Sequence, residues 1–286
     1  QGGVTVGVKG STAAKGVSVF ATNVGTTATT DSWGKATIQA PAGNQILTAK
    51  IGSILAVDIP VNVAASATGT TVPAATLVQN TALKVLVVKA GAENIEDVLR
   101  KIGFATFDSI EVDALRDSVD VFYGGDSTRA LTFLQKYTLV FSNCDGGSES
   151  SYKVLARTYG RYMQSGGKIY GGHYNFYNLQ EIYAPSYGTD VSSNGDSVDV
   201  VEPALAAIIG TPVKWYNAVE TLGYYGSFSD LPTTTKVYIR LKGKTVPVVM
   251  ENFTGGGKYL YTIYHNQDII NDSNLIKIVN YFLYSL

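Results

Sequence analysis

Three side chains in the sequence could carry out nucleophilic or acid–base chemistry at a single site. They are Cys144, the one cysteine of the 286-residue chain, and the two histidines, His173 and His265. Each follows a stretch that predicts a buried strand, and α/β proteins bind ligands at the carboxyl ends of such strands. A thiol beside an imidazole is an activated nucleophile, because the imidazole accepts the thiol proton. The placement indicates one candidate site at the edge of a sheet.

Each of these residues also has an interpretation without chemistry. Cys144 can be a displaced nucleophile or a redox thiol ahead of a helix N-terminus, or a small residue that fills the end of a strand. The two histidines can bind a metal or exchange protons with Asp145 or Glu181, or they can be remnants of an inherited site. We favour the interpretations without chemistry, and no cofactor is predicted.

Two further sets of residues have ligand-binding chemistry. The loop at 188–199 carries oxygen-bearing side chains whose spacing can hold Ca²⁺, but the calcium-loop pattern is not met and we favour a solvated loop. Eight of the 19 tyrosines lie between Tyr152 and Tyr187, and tyrosine is enriched at contact surfaces. We expect part of this run to be exposed. The calcium candidates are Asp190, Asn194, Asp196 and Asp199, and the binding candidates are Tyr174, Tyr177, Tyr183 and Tyr187.

The composition excludes several classes of protein. The formal net charge is −1 and only 16% of residues are charged, so no long-range attraction to nucleic acid is expected. One cysteine cannot form an internal disulfide, and one cysteine with two distant histidines makes a structural zinc site unfavourable. No apolar run reaches the ~20 residues that a membrane-spanning helix needs.

Residues 1–80 differ in composition from the rest of the chain. They carry six charged side chains and no tyrosine, and they are rich in Ala, Thr, Val and Gly. Apolar and polar residues alternate over short stretches, which predicts a small antiparallel β-sandwich. At Asp31 and Gly34 we expect a tight turn, because an Asp side chain can accept from its own turn backbone and Gly allows positive φ.

This first segment resembles the carboxypeptidase-regulatory-like or Cna-B-like modules of secreted proteins. The residues that carry the resemblance are 16–19 (GVSV), 30–38 (TDSWGKATI) and 41–43 (PAG). The resemblance implies an extracellular spacer or adhesion module without enzymatic activity.

Residues 81–286 alternate between predicted strands and helices. Apolar stretches at 84–89, 138–142 and 168–172 predict buried strands, and the intervening segments have helical spacing. This alternation is typical of a parallel sheet that is covered on both faces. We therefore predict two domains, a β-sandwich at 1–80 and a three-layer, flavodoxin-like α/β domain at 81–286.

The second segment resembles the class I glutamine-amidotransferase-like superfamily, through residues 166–173 (GGKIYGGH) and 255–265 (GGGKYLYTIYH). The family's catalytic members need a Cys at a strand–turn–helix elbow, written G-x-C-x-G, and a later His-x-Glu pair. The elbow region here carries His173 and no Cys, and Gln267 replaces the orienting carboxylate beside His265. The resemblance implies a degenerate site.

From these observations we predict a non-catalytic extracellular structural protein. It would be a self-assembling surface, matrix or filament subunit whose partners are copies of itself, with Gly2–Val8 pairing to a neighbour's sheet. The chain begins at Gln1 without Met, and we expect a signal peptide to have been removed. The alternatives are an amidotransferase-like hydrolase with a displaced active site and a carbohydrate-binding surface protein.

Overall fold

A computed structural model gives the fold, and the account below concerns the residues that it describes. These are 2–9, 17–21, 25–31, 33–51, 55–65, 69–79, 83–102, 104, 106–119, 128–144, 149–183, 187–189, 197–209, 213–214, 224–226, 232–243, 247–264, 276–279 and 281–282.

The chain divides into two compact units. The first comprises Gln1–Leu83 with Leu99–Thr106 and Phe282–Leu286, and the second comprises Lys84–Val98 and Phe107–Tyr281. The chain is a mixed α and β protein with several sheets. The predicted domain boundary at residue 80 stays a prediction.

The first unit contains eight described strands in two sheets. A three-stranded sheet has the order β4-β1-β7, and a five-stranded sheet has the order β3-β2-β5-β6-β8. The strands are β1 (Gly2–Lys9), β2 (Ser18–Ala21), β3 (Thr26–Thr29), β4 (Lys35–Ala40), β5 (Gly43–Ile51), β6 (Leu55–Val63), β7 (Thr70–Thr76) and β8 (Val78–Gln79).

Alternation of apolar and polar residues decides which face of these strands is buried. In β4 the pattern is strict, with Ala36, Ile38 and Ala40 buried and the residues between them exposed. In β1 the buried side chains include Val4 and Val6. Successive side chains point to opposite faces of a strand, so each strand presents one apolar row to the core.

The turn between β3 and β4 is built as the sequence predicts. The Asp31 side chain accepts hydrogen bonds at Oδ1 from the backbone N–H groups of Trp33, at 2.8 Å, and Lys35, at 3.0 Å. Gly34 has a φ of 69°, a conformation that glycine adopts without steric cost. The expected roles of Asp31 and Gly34 are confirmed.

The first strand is in the middle of its own sheet, contrary to the prediction that it pairs with a neighbouring molecule. β1 pairs antiparallel with β4 over Gly2–Gly7, and parallel with β7 over Val4–Lys9. Both of its hydrogen-bonding edges are therefore used within the chain. A strand in that position cannot add to another molecule's sheet without breaking native pairs.

The second unit is organised around a nine-stranded sheet. Its order is β10-β9-β11-β12-β19-β18-β17-β14-β15. The strands are β9 (Val85–Lys89), β10 (Asp108–Glu111), β11 (Leu139–Ser142), β12 (Lys168–Gly172), β14 (Ser197–Val200), β15 (Val213–Lys214), β17 (Thr235–Leu241), β18 (Pro247–Thr254) and β19 (Gly257–Thr262), while β13 (Tyr187–Thr189) and β16 (Tyr224–Gly226) form a separate antiparallel pair.

Five of these strands form a parallel sheet of flavodoxin-like order. β10, β9, β11, β12 and β19 are parallel to their neighbours, and numbered along the chain their order is 2-1-3-4-5. The strand order reverses between β9 and β11, which is where ligands bind in open α/β sheets. β18, β17, β14 and β15 extend the sheet with antiparallel pairs.

Six described helices accompany the sheets. They are α1 (Ile95–Ile102), α2 (Val112–Asp117), α3 (Thr128–Leu134), α4 (Glu149–Gln164), α5 (Phe176–Tyr183) and α6 (Pro203–Ile209), and residues 276–279 and 281–282 are also helical. β9 and β11 are covered on both faces, and four residues of each strand are buried. Among the described residues, no helix has both the length and the apolar character required to cross a membrane.

We predict that Gly257→Ala lowers the free energy of unfolding by about 3 kcal/mol. A Cβ at this position would lie 2.2 Å from the Gly167 carbonyl oxygen and 2.3 Å from that of Met163. Both obstacles are backbone atoms, which cannot rotate away. Chemical denaturation followed by circular dichroism measures the change.

The matched control is Gly256→Ala in the preceding turn position. A Cβ there would find its nearest neighbour at 3.6 Å, so we expect a change below about 0.5 kcal/mol. Equal stabilities of the two variants would contradict the packing described here.

Candidate active site

A sharp corner joins β12 to α5. The strand ends at Gly172, a 3-10 turn follows at His173–Asn175, and α5 begins at Phe176. His173 has a φ of 43°, and no other non-glycine residue among those described has a positive φ. Such a conformation costs energy for a residue with a Cβ and is concentrated at functional sites. The corner thus holds the His173 backbone in a strained position.

Close packing behind the corner requires glycine at position 171. A Cβ on Gly171 would lie 2.5 Å from Tyr259 Oη and 2.9 Å from Asn175 Cβ. Tyr259 is fully buried on β19, so its ring has little room to withdraw. The missing side chain at Gly171 is what lets the turn fold back against the sheet.

The corner brings His173 to the thiol of Cys144. Cys144 follows β11, the strand next to β12, and its Sγ lies 3.5 Å from His173 Nδ1. Both residues are buried, with His173 exposing 5% of its surface and Cys144 none. The sequence analysis expects the two side chains at the same edge of one sheet, and the structure places them in hydrogen-bonding contact.

A tyrosine hydroxyl also reaches the sulfur. Tyr152, in the first turn of α4, donates its hydroxyl hydrogen toward Cys144 Sγ at 3.7 Å. Its ring lies 6.3 Å from the ring of Tyr174 and 5.8 Å from that of Tyr177. Tyr174 in turn packs edge-on against the His173 imidazole at 4.4 Å. Aromatic rings therefore enclose the thiol and the imidazole.

A carboxylate anchors the backbone at the thiol. Glu93 follows β9 across the strand-order reversal, and its Oε2 accepts the backbone N–H of Cys144 at 2.7 Å. Glu93 exposes 6% of its surface. Its charge affects the surroundings: burial raises the pKa of Tyr170 well above its usual value, and the Glu93 carboxylate raises it further.

Asn143, directly after β11, connects the end of that strand to α1. Its side chain donates to the Glu93 backbone carbonyl at 3.2 Å and to Glu96 Oε2 at 3.1 Å, and it accepts from the Ile95 N–H at 3.3 Å. These contacts bind the segment after β9 to the segment after β11. They place Glu93 and Cys144 together at the switch point of the sheet.

Asn175 fastens the ends of β11 and β12 to each other. Its amide group donates to the carbonyls of Ser142, at 2.9 Å, Asn143, at 3.2 Å, and Gly172, at 3.0 Å. Its oxygen accepts from Asn178 Nδ2 and from Tyr259 Oη. Asn175 is completely buried, so water cannot replace these bonds.

The arrangement exchanges the positions that the amidotransferase-like resemblance implies. In that family the elbow carries the cysteine, whereas here the elbow carries His173 and the thiol comes from the neighbouring strand. The two groups still meet at one sheet edge. Chemically, a thiol whose proton an imidazole can accept is a nucleophile poised for attack on a carbonyl carbon.

The other predicted site residues are placed as follows. Tyr177 is buried and Tyr174 and Tyr183 are half-buried, with the Tyr183 hydroxyl 2.5 Å from Thr254 Oγ1. Tyr174 and Tyr177 stack on each other with their ring centroids 6.1 Å apart, and Tyr174 packs edge-on against His173, so these two rings belong to a packed aromatic cluster. Tyr187 begins β13. Ligand binding by these tyrosines stays a prediction.

Several residues that the sequence analysis singled out lie outside the described residues. These are His265, Asp145, Gln267, Asp190, Asn194 and Asp196. Asp199 is described, and its carboxylate lies 3.8 Å from Arg240 Nε. Glu181, a predicted metal or proton partner, lies 3.8 Å from Lys153 Nζ. Over the part of the chain that is described, no group of three potential metal ligands is found.

The sequence analysis missed three contributors to the site. Tyr152 is at helical spacing with Tyr159, which favoured a core role. Glu93 is one of several acidic residues after β9, and Asn175 has no chemistry of its own. The available signals were the position of Glu93 four residues beyond the end of β9 and that of Asn175 two residues beyond the elbow.

Comparisons with known proteins give fold matches only. No protein-family model matches the chain, and no curated protein matches it. A cytoplasmic protein of Salmonella typhimurium LT2 has 12% identity and a TM-score of 0.47, covering 71% of this chain and 99% of its own. A GMP synthase-type protein from Thermoplasma acidophilum has 13% identity and a TM-score of 0.45, covering 70% and 96%.

A glutamine amidotransferase from Thermotoga maritima is a further structural match, with 13% identity and a TM-score of 0.41, covering 63% of this chain and 75% of its own. These neighbours are named as cytoplasmic or amidotransferase proteins and give the predicted extracellular structural role no support: the secreted, cell-surface and filament-forming predictions are wrong. Self-assembly stays a prediction.

We predict that Asn175→Ala lowers the free energy of unfolding by about 2–3 kcal/mol, because buried carbonyls lose their donor. The variant should also release the ends of β11 and β12, so that Cys144 reacts with a thiol reagent at least about tenfold faster. Denaturation and timed alkylation measure the two effects. Asn94→Ala is the control, since Asn94 is exposed and donates to Asp97; alkylation that is equally fast in both variants would contradict the role of Asn175.

Proposed function

We propose that the second unit is an amidotransferase-like hydrolase with a displaced active site, in which Cys144 is the nucleophile and His173 is the base. The observation that supports this most is the 3.5 Å contact between Cys144 Sγ and His173 Nδ1. The contact lies beside the point where the strand order reverses, the ligand-binding position of this sheet type. An amide or ester carbonyl is the substrate class that such a pair attacks.

The reaction would proceed in two acyl transfers. His173 accepts the proton of Cys144, and the thiolate adds to the carbonyl carbon of the substrate. The bond from that carbon to nitrogen or oxygen then breaks, and the leaving group takes the proton from His173. Water, deprotonated by the same imidazole, attacks the thioester and releases the acid and the free thiol.

Two features of the site set limits on this chemistry. The backbone N–H of Cys144 is held by Glu93, so another donor must stabilise the oxyanion. The thiol is buried, so a substrate reaches it only when the half-buried ring of Tyr174 turns aside. We therefore expect a slow enzyme, with opening of the aromatic cover limiting the rate.

For the first unit, we propose that residues 1–80 form the β-sandwich module that the sequence predicts. Its support is the alternating burial along β1 and β4 in one sheet, and along β2 in the other. Carbohydrate and further copies of the chain stay predicted partners.

The hydrolase proposal is tested with chromogenic esters and amides. We expect the purified chain to hydrolyse an activated acetyl ester and to carry one acetyl group in a rapidly quenched mass spectrum. Cys144→Ser should abolish the acetylated species, and His173→Asn should lower kcat/KM by about 10²- to 10⁴-fold. Lys153→Ala, at a half-buried position of α4 whose side chain pairs with Glu181, is the control and should keep full activity. Hydrolysis by Cys144→Ser at the wild-type rate would refute the proposal.

A further inference from the structure

We propose that Tyr152 stabilises the thiolate of Cys144 by donating its hydroxyl hydrogen to the sulfur. This inference deepens the proposed hydrolase function and rests on it for its catalytic meaning. Tyr152 belongs to no part of the site that the sequence assigned, and it comes from α4, whereas Cys144 and His173 follow strands. It touches the reacting sulfur atom itself.

The geometry places two hydrogen-bonding groups on one sulfur. Tyr152 Oη lies 3.7 Å from Cys144 Sγ, and His173 Nδ1 lies 3.5 Å from the same atom. Tyr152 exposes 3% of its surface, so water does not compete strongly for its hydroxyl. A hydrogen bond donated to sulfur strengthens when the sulfur becomes negative, and it therefore favours the thiolate over the thiol.

Two features near Tyr152 make its hydroxyl a stronger hydrogen-bond donor. The guanidinium of Arg116 lies over its ring at 5.9 Å, and Arg116 Nε donates to the backbone carbonyl of Ser151 at 3.1 Å. A cation over the ring face draws electron density from the phenol. Tyr152 is also in the first turn of the 16-residue α4, where the helix dipole favours negative charge.

Other charged groups near the sulfur act in both directions. Glu93, after β9, and Glu96, in α1, are carboxylates that disfavour a thiolate, and burial disfavours it as well. Protonated His173, at the elbow, and Arg116, in α2, favour it. Tyr174 and Tyr177 supply ring contacts to Tyr152. Glu93 and Glu96 oppose ionisation of the Cys144 thiol, and the hydrogen bond from the Tyr152 hydroxyl counteracts them.

Experiment can separate the packing of the Tyr152 ring from the hydrogen bond that its hydroxyl donates. The ring of Tyr152 packs against Tyr174 and Tyr177, and Tyr152→Phe keeps that packing while removing only the hydroxyl. Tyr177→Phe is the matched control, because it removes a hydroxyl from the same aromatic cluster.

The experiment is a pH titration of thiolate absorbance in the full chain, with the spectrum of Cys144→Ser subtracted. Relative to wild type, we expect the midpoint of Tyr152→Phe to rise by about one pH unit, a tenfold loss of thiolate below the midpoint. Tyr177→Phe should titrate like wild type. A Tyr152→Phe midpoint equal to that of wild type, in a folded protein, overturns the inference.

A second measurement covers the case in which Tyr152→Phe does not fold. Fluorotyrosine at position 152 keeps the hydroxyl and makes it more acidic, so the midpoint should fall. An unchanged or higher midpoint overturns the inference. If these shifts occur and the chain hydrolyses no ester or amide, the thiolate role of Tyr152 stands and the proposed hydrolase function fails.

Discussion

The hydrogen bonds of the Asn175 amide are the constraint on which the site depends. One buried side chain ties the end of β11 to the end of β12 and to the turn that follows. Gly171 lets that turn fold tightly against Tyr259, and His173 takes a left-handed conformation at its apex. Together with the parallel pairing of β11 and β12, this clamp holds the strand-end thiol and the strained histidine side by side.

The same corner explains how the proposed site can form with the cysteine and histidine exchanged relative to the amidotransferase-like pattern. A strand–turn–helix elbow presents one side chain at the edge of a parallel sheet, and the neighbouring strand ends close beside it. What matters for chemistry is which two groups meet there, so the order of cysteine and histidine along the chain is free to differ. Here the elbow carries His173, the proposed base, and Glu93 anchors the strand end that carries the thiol.

The sequence predicted the parallel strands, the strand–helix alternation and the tight turn at Asp31, because the spacing of apolar residues and the residue types of a turn are local properties of the chain. It also placed Cys144 and His173 at one sheet edge. It could not assign Tyr152, whose spacing suits a core helix, nor Asn175, whose importance is the number of carbonyls it reaches. The predicted assembly through β1 failed because its parallel partner, β7, lies more than 60 residues further along the chain, and such pairing leaves no local signal.

The central claim is that the proton of the Cys144 thiol moves to His173, so that the two side chains form a thiolate–imidazolium pair. Nuclear magnetic resonance of the imidazole tests it directly, because the chain has only two histidines and His173→Asn assigns the signals. The account predicts that the His173 ring of the wild type stays protonated to a higher pH than the ring in Cys144→Ser, since the thiolate stabilises the imidazolium. A His173 ring that loses its proton at the same pH in both proteins would contradict the account.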